Sequence, residues 1–339
     1  MDAKPRVTVS RAEQPHDLVA NWAHCDRISL PGYPDETEDA AQRTGIRRTS
    51  AFILTRKGML VAQISDPHVL APGKLFHAPE KAVPRGAGPN WSRIDTAACL
   101  ARAVVELNAL APRPDVAVVT GDLVDHGSAA EYEHLRAILA ALVMPVFVIP
   151  DNHDSREGMR EAFAREGYLP RAGFLHYAIE EYSLRIVALD THIPGEHGGL
   201  LCAERLAWFE LTLEAAPERP TVVLMHHPPF ATGIAHMDRY GLRDAAAFAE
   251  IVSRNRQIER ILCGHLHRAI DRRFVGTVAG TAPSTAHQLL LDLEPQAPLQ
   301  FVFEPPGYQL HLWGEGTGLV SHTAILGDWP GPYPFRAAG

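Results

Sequence analysis

The chain has 339 residues, of which 46% are apolar and 21% are charged, and its formal net charge is −8. This balance is typical of a globular protein, and the length suffices for one large α/β domain or for a core domain with an appendage. The negative charge and the lack of a lysine- or arginine-rich block argue against a dedicated nucleic-acid-binding protein, because such affinity comes largely from cationic side chains.

Residues 1–58 mix charges of both signs with scattered prolines and show no sustained hydrophobic period. We expect them to form a loosely ordered N-terminal extension. A strand-like apolar run begins at Met59. Two interpretations stay open: Met59 is the true start of translation and the first 58 residues are an artefact, or those residues form a loose extension.

From Met59 onward, short apolar runs alternate with amphipathic segments, which is typical of α/β layering. The pattern predicts strands at 60–64, 116–119, 146–149, 174–179, 184–189, 221–225 and 258–263. It predicts helices at about 95–109, from Ser128 to about 142, after Ser155, and at about 203–214 and 243–254. Ser128 and Glu131 have the spacing of a capping box, and Ser155 is a suitable N-cap.

Beyond residue 268 the helical periods disappear. Segments near 269–279, 287–293, 299–304, 308–313 and 319–325 are expected to form a set of antiparallel strands.

Five polar clusters follow predicted strands directly. They are Asp66-Pro67-His68, Gly121-Asp122, Asn152-His153-Asp154, His226-His227 and Gly264-His265-Leu266-His267. In open α/β sheets ligands bind at this edge, because the loops after the strands converge there. We therefore expect carboxylates, imidazoles and an amide to meet at one place.

These groups are ligands for first-row metals, and they are too many for a single ion. Two ions about 3.5–4 Å apart can activate a water and stabilise both the attacking and the leaving oxygen of a phosphate ester. Asp122 suits a bridging position, because a carboxylate has two oxygens and Gly121 allows the backbone to approach closely. Each cluster alone has an ordinary structural explanation, and the prediction depends on the whole set.

The order D-x-H, G-D, N-H-D, H and G-H-x-H over about residues 59–270 resembles the calcineurin-like metallophosphoesterases. The closer likeness is to class III cyclic nucleotide phosphodiesterases and bacterial glycerophosphodiesterases. It depends on the segments Ile64–His68, Thr120–Val124, Met225–Phe230 and Thr281–Gln288. The resemblance implies a four-layer α/β/β/α sandwich over residues 59–280 and a β-rich cap or oligomerisation segment over residues 281–339.

The resemblance also implies the site. Asp66, His68 and His267 would bind one ion, Asn152, His226 and His265 the other, and Asp122 would bridge both. The ions would be iron, manganese, zinc or cobalt. His153 would stand near the substrate phosphate as a catalytic residue together with Asp122. Asp154 would orient His153 or the loop, and His227 would support a ligand or be structural rather than bind a metal.

Relatives usually carry glycine before the asparagine of N-H-D, whereas this chain has Asp151. If the position requires a positive φ, aspartate is tolerated at some strain. The additional carboxylate could also tighten metal binding or weaken attraction for an anionic substrate. We expect the site to form nonetheless.

Nine histidines outside these motifs are expected to be exposed or packed: His77, His126, His134, His176, His192, His197, His236, His311 and His322. His287 is an exception, because the matching segment of relatives folds toward the cleft.

The predicted function is hydrolysis of a small phosphodiester, either a 3′,5′-cyclic nucleotide or a glycerophosphodiester, by a hydroxide that bridges the metals. Three alternatives stay open. One is a phosphomonoesterase or phosphonate monoester hydrolase, another is a catalytically silent metal-binding assembly module, and the third is a nuclease, which the charge disfavours.

No apolar run approaches the roughly 18 residues that span a bilayer, and no secretory signal is evident at the N-terminus. The four cysteines are widely separated, as expected for reduced thiols. We expect a cytoplasmic protein without a membrane partner, and relatives suggest a homo-oligomer.

Overall fold

The computed structural model describes residues 58–78 and 93–335. The predicted N-terminal extension therefore lies outside the described residues, apart from Gly58. The strands are β1 (Gly58–Ile64), β2 (Phe76–His77), β3 (Arg93–Ile94), β4 (Val116–Thr120), β5 (Val146–Ile149), β6 (Tyr177–Ile179), β7 (Arg185–Ala188), β8 (Gly199–Leu200), β9 (Thr221–Leu224), β10 (Leu242–Arg243), β11 (Ile258–Cys263), β12 (Ile270–Phe274), β13 (Thr277–Thr281), β14 (Gln288–Leu289), β15 (Phe301–Val302), β16 (Gly307–Gly314) and β17 (Gly318–Ile325).

The α-helices are α1 (Thr96–Ala109), α2 (Ala129–Leu139), α3 (Arg156–Ala162), α4 (Ala203–Glu214) and α5 (Ala245–Arg254), and Met237–Tyr240 forms a 3₁₀ turn. The capping box of Ser128 and Glu131 is present at the start of α2, and the Ser155 side chain accepts from the amide of Gly158 at the start of α3. Among the described helices, none is long and apolar enough to cross a membrane.

Two sheets form the centre of the fold. The first has the order β17-β16-β1-β4-β5, and the second has the order β12-β13-β11-β9-β7-β6. Strands β1, β4 and β5 run parallel, as do β7, β9, β11 and β13. Two-stranded ribbons pair β2 with β3, β8 with β10, and β14 with β15.

The side chains of the central strands alternate between two apolar layers, as the two-residue period of a strand requires. In β4, Val116 and Val118 face the layer between the sheets, whereas Ala117 and Val119 pack against the helices α1 to α3. In β9, Val222 faces the layer between the sheets, and Val223 packs with Phe209 of α4 and Phe248 of α5. The predicted α/β fold with four layers in the order α/β/β/α is confirmed.

The C-terminal segment is rich in strands, as predicted, and two of these strands continue the first sheet. β16 pairs antiparallel with β1 over Gly58–Gln63, and β17 pairs with β16. β12 and β13 pair antiparallel, as predicted, but β13 also runs parallel to β11 on its other side. Sequence alternation predicts the presence of a strand but carries no information about its partner, which explains both differences. The predicted boundary between core and cap at residue 280 stays a prediction.

Candidate metal centre

The five polar clusters lie at the carboxyl ends of five strands. Asp66 and His68 follow β1, Asp122 follows β4, Asn152 and His153 follow β5, His226 follows β9, and His265 and His267 follow β11. Within each sheet these strands are parallel, so their carboxyl ends share one edge. The structure thereby brings together side chains from both sheets, including His68 and His267, which are 199 residues apart.

Backbone strain is concentrated at these residues. Among the described residues, seven that are not glycine have a positive φ, and five of them are predicted ligands: Asp66, His68, Asp122, His265 and His267. Left-handed backbone costs about 1–2 kcal/mol for a residue with a Cβ atom. Strain of this kind persists where the surrounding structure imposes it, and it clusters at functional sites. Asp151 does not have a positive φ, so the strain considered for this position does not arise.

Two glycines let the loops approach closely. A Cβ atom on Gly264 would lie 2.5 Å from both the Ser65 hydroxyl oxygen and the Thr120 carbonyl oxygen, and a Cβ on Gly121 would lie 2.3 Å from Nδ1 of His226. Larger residues at either position would push the loops apart.

The first donor group contains Asp66, His68, Asp122 and His267, whose ligand atoms all lie within 4.8 Å of one another. Nε2 of His68 lies 3.2 Å from Nε2 of His267 and 3.4 Å from Oδ2 of Asp122. Nε2 of His267 lies 3.6 Å from Oδ1 of Asp66. Asp66 is completely buried.

Hydrogen bonds on the far side of each ring fix which nitrogen faces the centre. Nδ1 of His267 donates to the carbonyl oxygen of His287 at 2.9 Å, and Nδ1 of His68 lies 3.2 Å from a carboxylate oxygen of Asp125. Because those oxygens accept, Nδ1 carries the hydrogen of each neutral ring and Nε2 presents a lone pair. Two lone pairs that face each other at 3.2 Å repel unless a cation lies between them.

The second donor group surrounds His226. Its Nδ1 donates to the Thr120 carbonyl oxygen at 2.7 Å. Its Nε2 lies 2.8 Å from Oδ2 of Asp151, 3.7 Å from Oδ2 of Asp122 and 3.9 Å from Oδ1 of Asp66. Oδ1 of Asn152 and Nε2 of His265 are also buried without a hydrogen-bond partner among the described residues.

The charges of this centre attract a positive ion. Burial lowers the pKa of His226, but the carboxylates of Asp151, Asp122 and Asp66 raise it well above its ordinary value. Burial raises the pKa of Asp122, but the neighbouring His153, His226 and His68 together lower it by more, so the net shift of this pKa is downward. Burial raises the pKa of Asp66. Three buried carboxylates around one imidazole therefore favour either a proton or a metal cation on Nε2 of His226.

The donor sets fit metal ions. They combine carboxylate oxygens and imidazole nitrogens, which are the ligands of borderline first-row cations. Several of the donor atoms are buried and have no hydrogen-bond partner among the described residues. The Nδ1 atoms of His68, His226 and His267 are held by oxygen acceptors, as is usual for ligating histidines.

His153 lies beside the donor groups, and a third of its side chain is exposed in the cavity. Its Nδ1 donates to the carbonyl oxygen of Asp125 at 2.8 Å, so Nε2 is left to face the cavity. Burial lowers the pKa of His153, but Asp122 and the Asp125 carbonyl raise it by more, and the net shift is upward.

Asp154 and His227 form hydrogen bonds to the segments beside the donor groups. Oδ2 of Asp154 accepts from the amides of Leu123 and Asp151, and it thereby ties the loop after β4 to the loop after β5. Burial and the nearby Asp122 carboxylate raise the pKa of Asp154 to about 8. His227 bonds through Nδ1 to the Thr191 hydroxyl and through Nε2 to the His197 carbonyl.

A cavity of about 400 Å³ opens above the donor groups. Its outer wall is largely apolar and includes Phe76, Met237, Leu289, Leu299 and Phe301. The ring of His287 stacks on that of Phe76 with centroids 4.3 Å apart, which agrees with the expectation that His287 folds toward the cleft.

Sequence reasoning missed several contributors. His197 and His236 line the cavity although they lie outside the motifs, and Asp125 holds both His68 and His153. Asp125 comes three residues after Asp122, and this proximity is the one local signal that could have singled it out.

The sequence model of the calcineurin-like phosphoesterases matches residues 59–269. A probable glycerophosphodiester phosphodiesterase of Arcobacter nitrofigilis is 35% identical over 278 residues, which cover 82% of this chain and 97% of that protein. A probable cyclic nucleotide phosphodiesterase of Rhodopseudomonas palustris is 35% identical over 275 residues, which cover 79% of this chain and 93% of that protein.

Among solved structures, a dimetal phosphatase from Danio rerio aligns with a TM-score of 0.53 at 14% identity. The alignment covers 79% of this chain and 99% of the fish protein. At this identity the likeness concerns the fold alone.

Proposed function

This chain belongs to the calcineurin-like phosphoesterase family, and we propose that it hydrolyses a small phosphodiester in the cavity above the two donor groups. It is a metal-dependent phosphoric diester hydrolase, in line with relatives named as phosphodiesterases. The observation that carries the proposal is the convergence of the two donor groups on the floor of one cavity.

In this proposal seven side chains would hold two cations. Asp66, His68 and His267 would bind the first, Asn152, His226 and His265 would bind the second, and Asp122 would be shared by both. The position of Asp122 supports the bridging role, because its Oδ2 lies 3.4 Å from Nε2 of His68 and 3.7 Å from Nε2 of His226. Iron, manganese, zinc and cobalt all suit these donors.

A bound pair of such cations supplies an activated water and neutralises charge on the phosphoryl oxygens. The chain itself holds the donors in place. The Asp125 carboxylate, the His287 carbonyl and the Thr120 carbonyl each fix one imidazole, so that its Nε2 points inward. Such partners commonly contribute 10- to 100-fold in metal affinity or activity.

His153 acts as a proton donor in this proposal. The Asp125 carbonyl fixes its tautomer, so that Nε2, once protonated, can donate to a phosphoryl oxygen or to the leaving oxygen. Its partial exposure lets the ring exchange that proton with solvent between turnovers.

The cavity wall favours a diester over a monoester. Among the described residues that line the cavity there is no lysine or arginine to balance a second phosphate charge. A diester carries one charge and two organic groups, and the apolar wall with Phe76 and Phe301 offers a surface for one of those groups. Cyclic nucleotides and glycerophosphodiesters are both diesters of this kind.

A substrate panel tests the proposal. With Mn²⁺, the protein should hydrolyse bis(p-nitrophenyl) phosphate faster than p-nitrophenyl phosphate, and Asp122→Ala should remove both activities. A panel with a cyclic nucleotide and a glycerophosphodiester then identifies the organic group. Faster hydrolysis of the monoester would support a phosphomonoesterase instead, and no metal-dependent release above the Asp122→Ala control would contradict the proposal.

Two further expectations accompany the function. The free thiols of Cys99, Cys202 and Cys263 are compatible with the proposed cytoplasmic location. A homo-oligomer is expected by analogy with relatives, and light scattering of the purified protein would test it.

A further inference from the structure

Asp151 occupies an unusual place in this centre. It follows β5, directly before the predicted ligand Asn152, and it is completely buried. Its two carboxylate oxygens accept no hydrogen bond of normal geometry from the described residues. A buried carboxylate without donors is costly unless it is neutralised or binds a cation.

Two imidazoles face the carboxylate of Asp151. Oδ2 lies 2.8 Å from Nε2 of His226, whose Nδ1 hydrogen is donated to the Thr120 carbonyl. Oδ1 lies 3.1 Å from Nδ1 of His227, and that ring donates from Nε2 to the His197 carbonyl. In the neutral rings, both imidazoles therefore turn a lone pair toward Asp151.

The spacing suits shared coordination. Ligands at about 2.0–2.2 Å from one metal are about 3 Å apart when their bonds are perpendicular, and Oδ2 of Asp151 is 2.8 Å from Nε2 of His226. Asp122, Asp151 and His226 present ligand atoms within 4.8 Å of one another, and so do Asp151, His227 and His265. Asp151 is the residue that belongs to both groups.

We propose that Asp151 is a direct ligand of the second cation, in addition to Asp122, Asn152, His226 and His265. This inference depends on the proposed metal-dependent function. It gives the second position two carboxylates, which bind this cation more tightly than the uncharged donors alone. It also moves the preference of that position toward cations that favour oxygen, such as Mn²⁺.

The competing possibility is that Asp151 holds a proton on His226 and so keeps the second cation out. The two possibilities make opposite predictions for the removal of the carboxylate. If Asp151 is a ligand, its removal should lower the affinity for the second cation. If Asp151 is a counter-ion that keeps His226 protonated, its removal should free Nε2 of His226 and raise that affinity.

Mn²⁺ binding by the chelator-treated full chain separates them. Titration calorimetry and metal analysis after dialysis should give two ions per wild-type chain. Asp151→Asn should bind the first ion with unchanged affinity and the second at least about 10-fold more weakly, as expected for the loss of a group at a metal. The electron paramagnetic resonance signal of a coupled manganese pair should weaken in parallel.

Asp151→Gly provides a second variant, which lacks the carboxylate and also lacks the side-chain amide that Asp151→Asn introduces. It should show the same loss of affinity for the second ion. Asp66→Asn is the matched control, since it removes a buried carboxylate from the first donor group and should weaken the other ion. Mn²⁺ should raise the melting temperature of the wild type by more than that of either Asp151 variant.

Second-ion affinity equal to or above that of the wild type in both Asp151 variants would overturn the proposal. A wild-type chain that binds a single Mn²⁺ would also overturn it, while leaving a hydrolase with one metal. If the wild-type chain bound no cation, the whole proposed metal centre would be wrong. Failure of the Asp151 proposal is therefore distinguishable from failure of the proposed metal-dependent function.

Discussion

The substitution Gly121→Ala tests whether the centre depends on close approach between the loop after β4 and His226. A Cβ atom at Gly121 would lie 2.3 Å from Nδ1 of His226, whereas ordinary contacts begin near 3.4 Å. The imidazole must therefore move by about 1 Å, and a displacement of that size can cost on the order of 100-fold in rate. The movement also breaks the 2.7 Å hydrogen bond to the Thr120 carbonyl.

Gly73→Ala is the matched control. Gly121 has φ +86° and Gly73 has φ +77°, but a Cβ atom at Gly73 would have no neighbour within 4 Å. Both variants pay the cost of left-handed backbone, about 1–2 kcal/mol. Both should therefore lose similar stability to that source, and only Gly121→Ala should also disturb the metal centre.

The assay combines metal content after dialysis with kcat/KM for bis(p-nitrophenyl) phosphate in Mn²⁺. We expect Gly73→Ala to match the wild type in both measurements. Gly121→Ala should lose about 100-fold in kcat/KM together with most of one bound ion. Wild-type kcat/KM and metal content in Gly121→Ala would refute the reasoning.

Three further predictions concern other parts of the molecule. His153→Ala should lower kcat by about 10²–10⁴-fold with two ions still bound, and an unchanged kcat would remove its proton-transfer role. Burial lowers the pKa of His311 from 6.5 to about 3. As the pH falls below 6.5, this histidine therefore binds a proton in the unfolded chain but stays neutral in the folded chain. Between pH 8 and pH 5 that effect should cost the wild type about 2 kcal/mol of unfolding free energy; His311→Gln should lack it in urea titrations, and equal pH slopes would contradict this. Arg156→Ala removes the two hydrogen bonds of 2.6 and 2.9 Å that the buried Asp190 accepts from the guanidinium, and should destabilise the fold by about 3 kcal/mol in urea titrations; a loss below 1 kcal/mol would contradict it.

Much of the fold followed from local patterns. The predicted helix at 203–214 and strand at 258–263 have the observed bounds, because each carries its own period and flanking signals. The capping box at Ser128 likewise depends on residues three apart. The partner of a strand has no such local signal, so the place of β16 beside β1 could not be predicted.

The candidate site divides in the same way. The types of donor and their position after strands were predictable from the sequence, although the assignment of each donor to an ion stays a prediction. Asp151 stands where relatives usually have glycine, but the direction of its side chain was not predictable. The cavity wall was not predictable either, since Phe76, Met237, Leu289 and Phe301 come from separate segments.

By itself, the sequence determined which elements form and which chemical groups stand at their ends, because hydrophobic period, capping and turn preference act over a few residues. Only the tertiary structure decided which of those groups face one another. The 3.2 Å approach of His68 to His267 joins residues 199 apart, and the 2.8 Å approach of Asp151 to His226 joins two different sheets. Such distances depend on how the two sheets pack, and that packing is a property of the whole core.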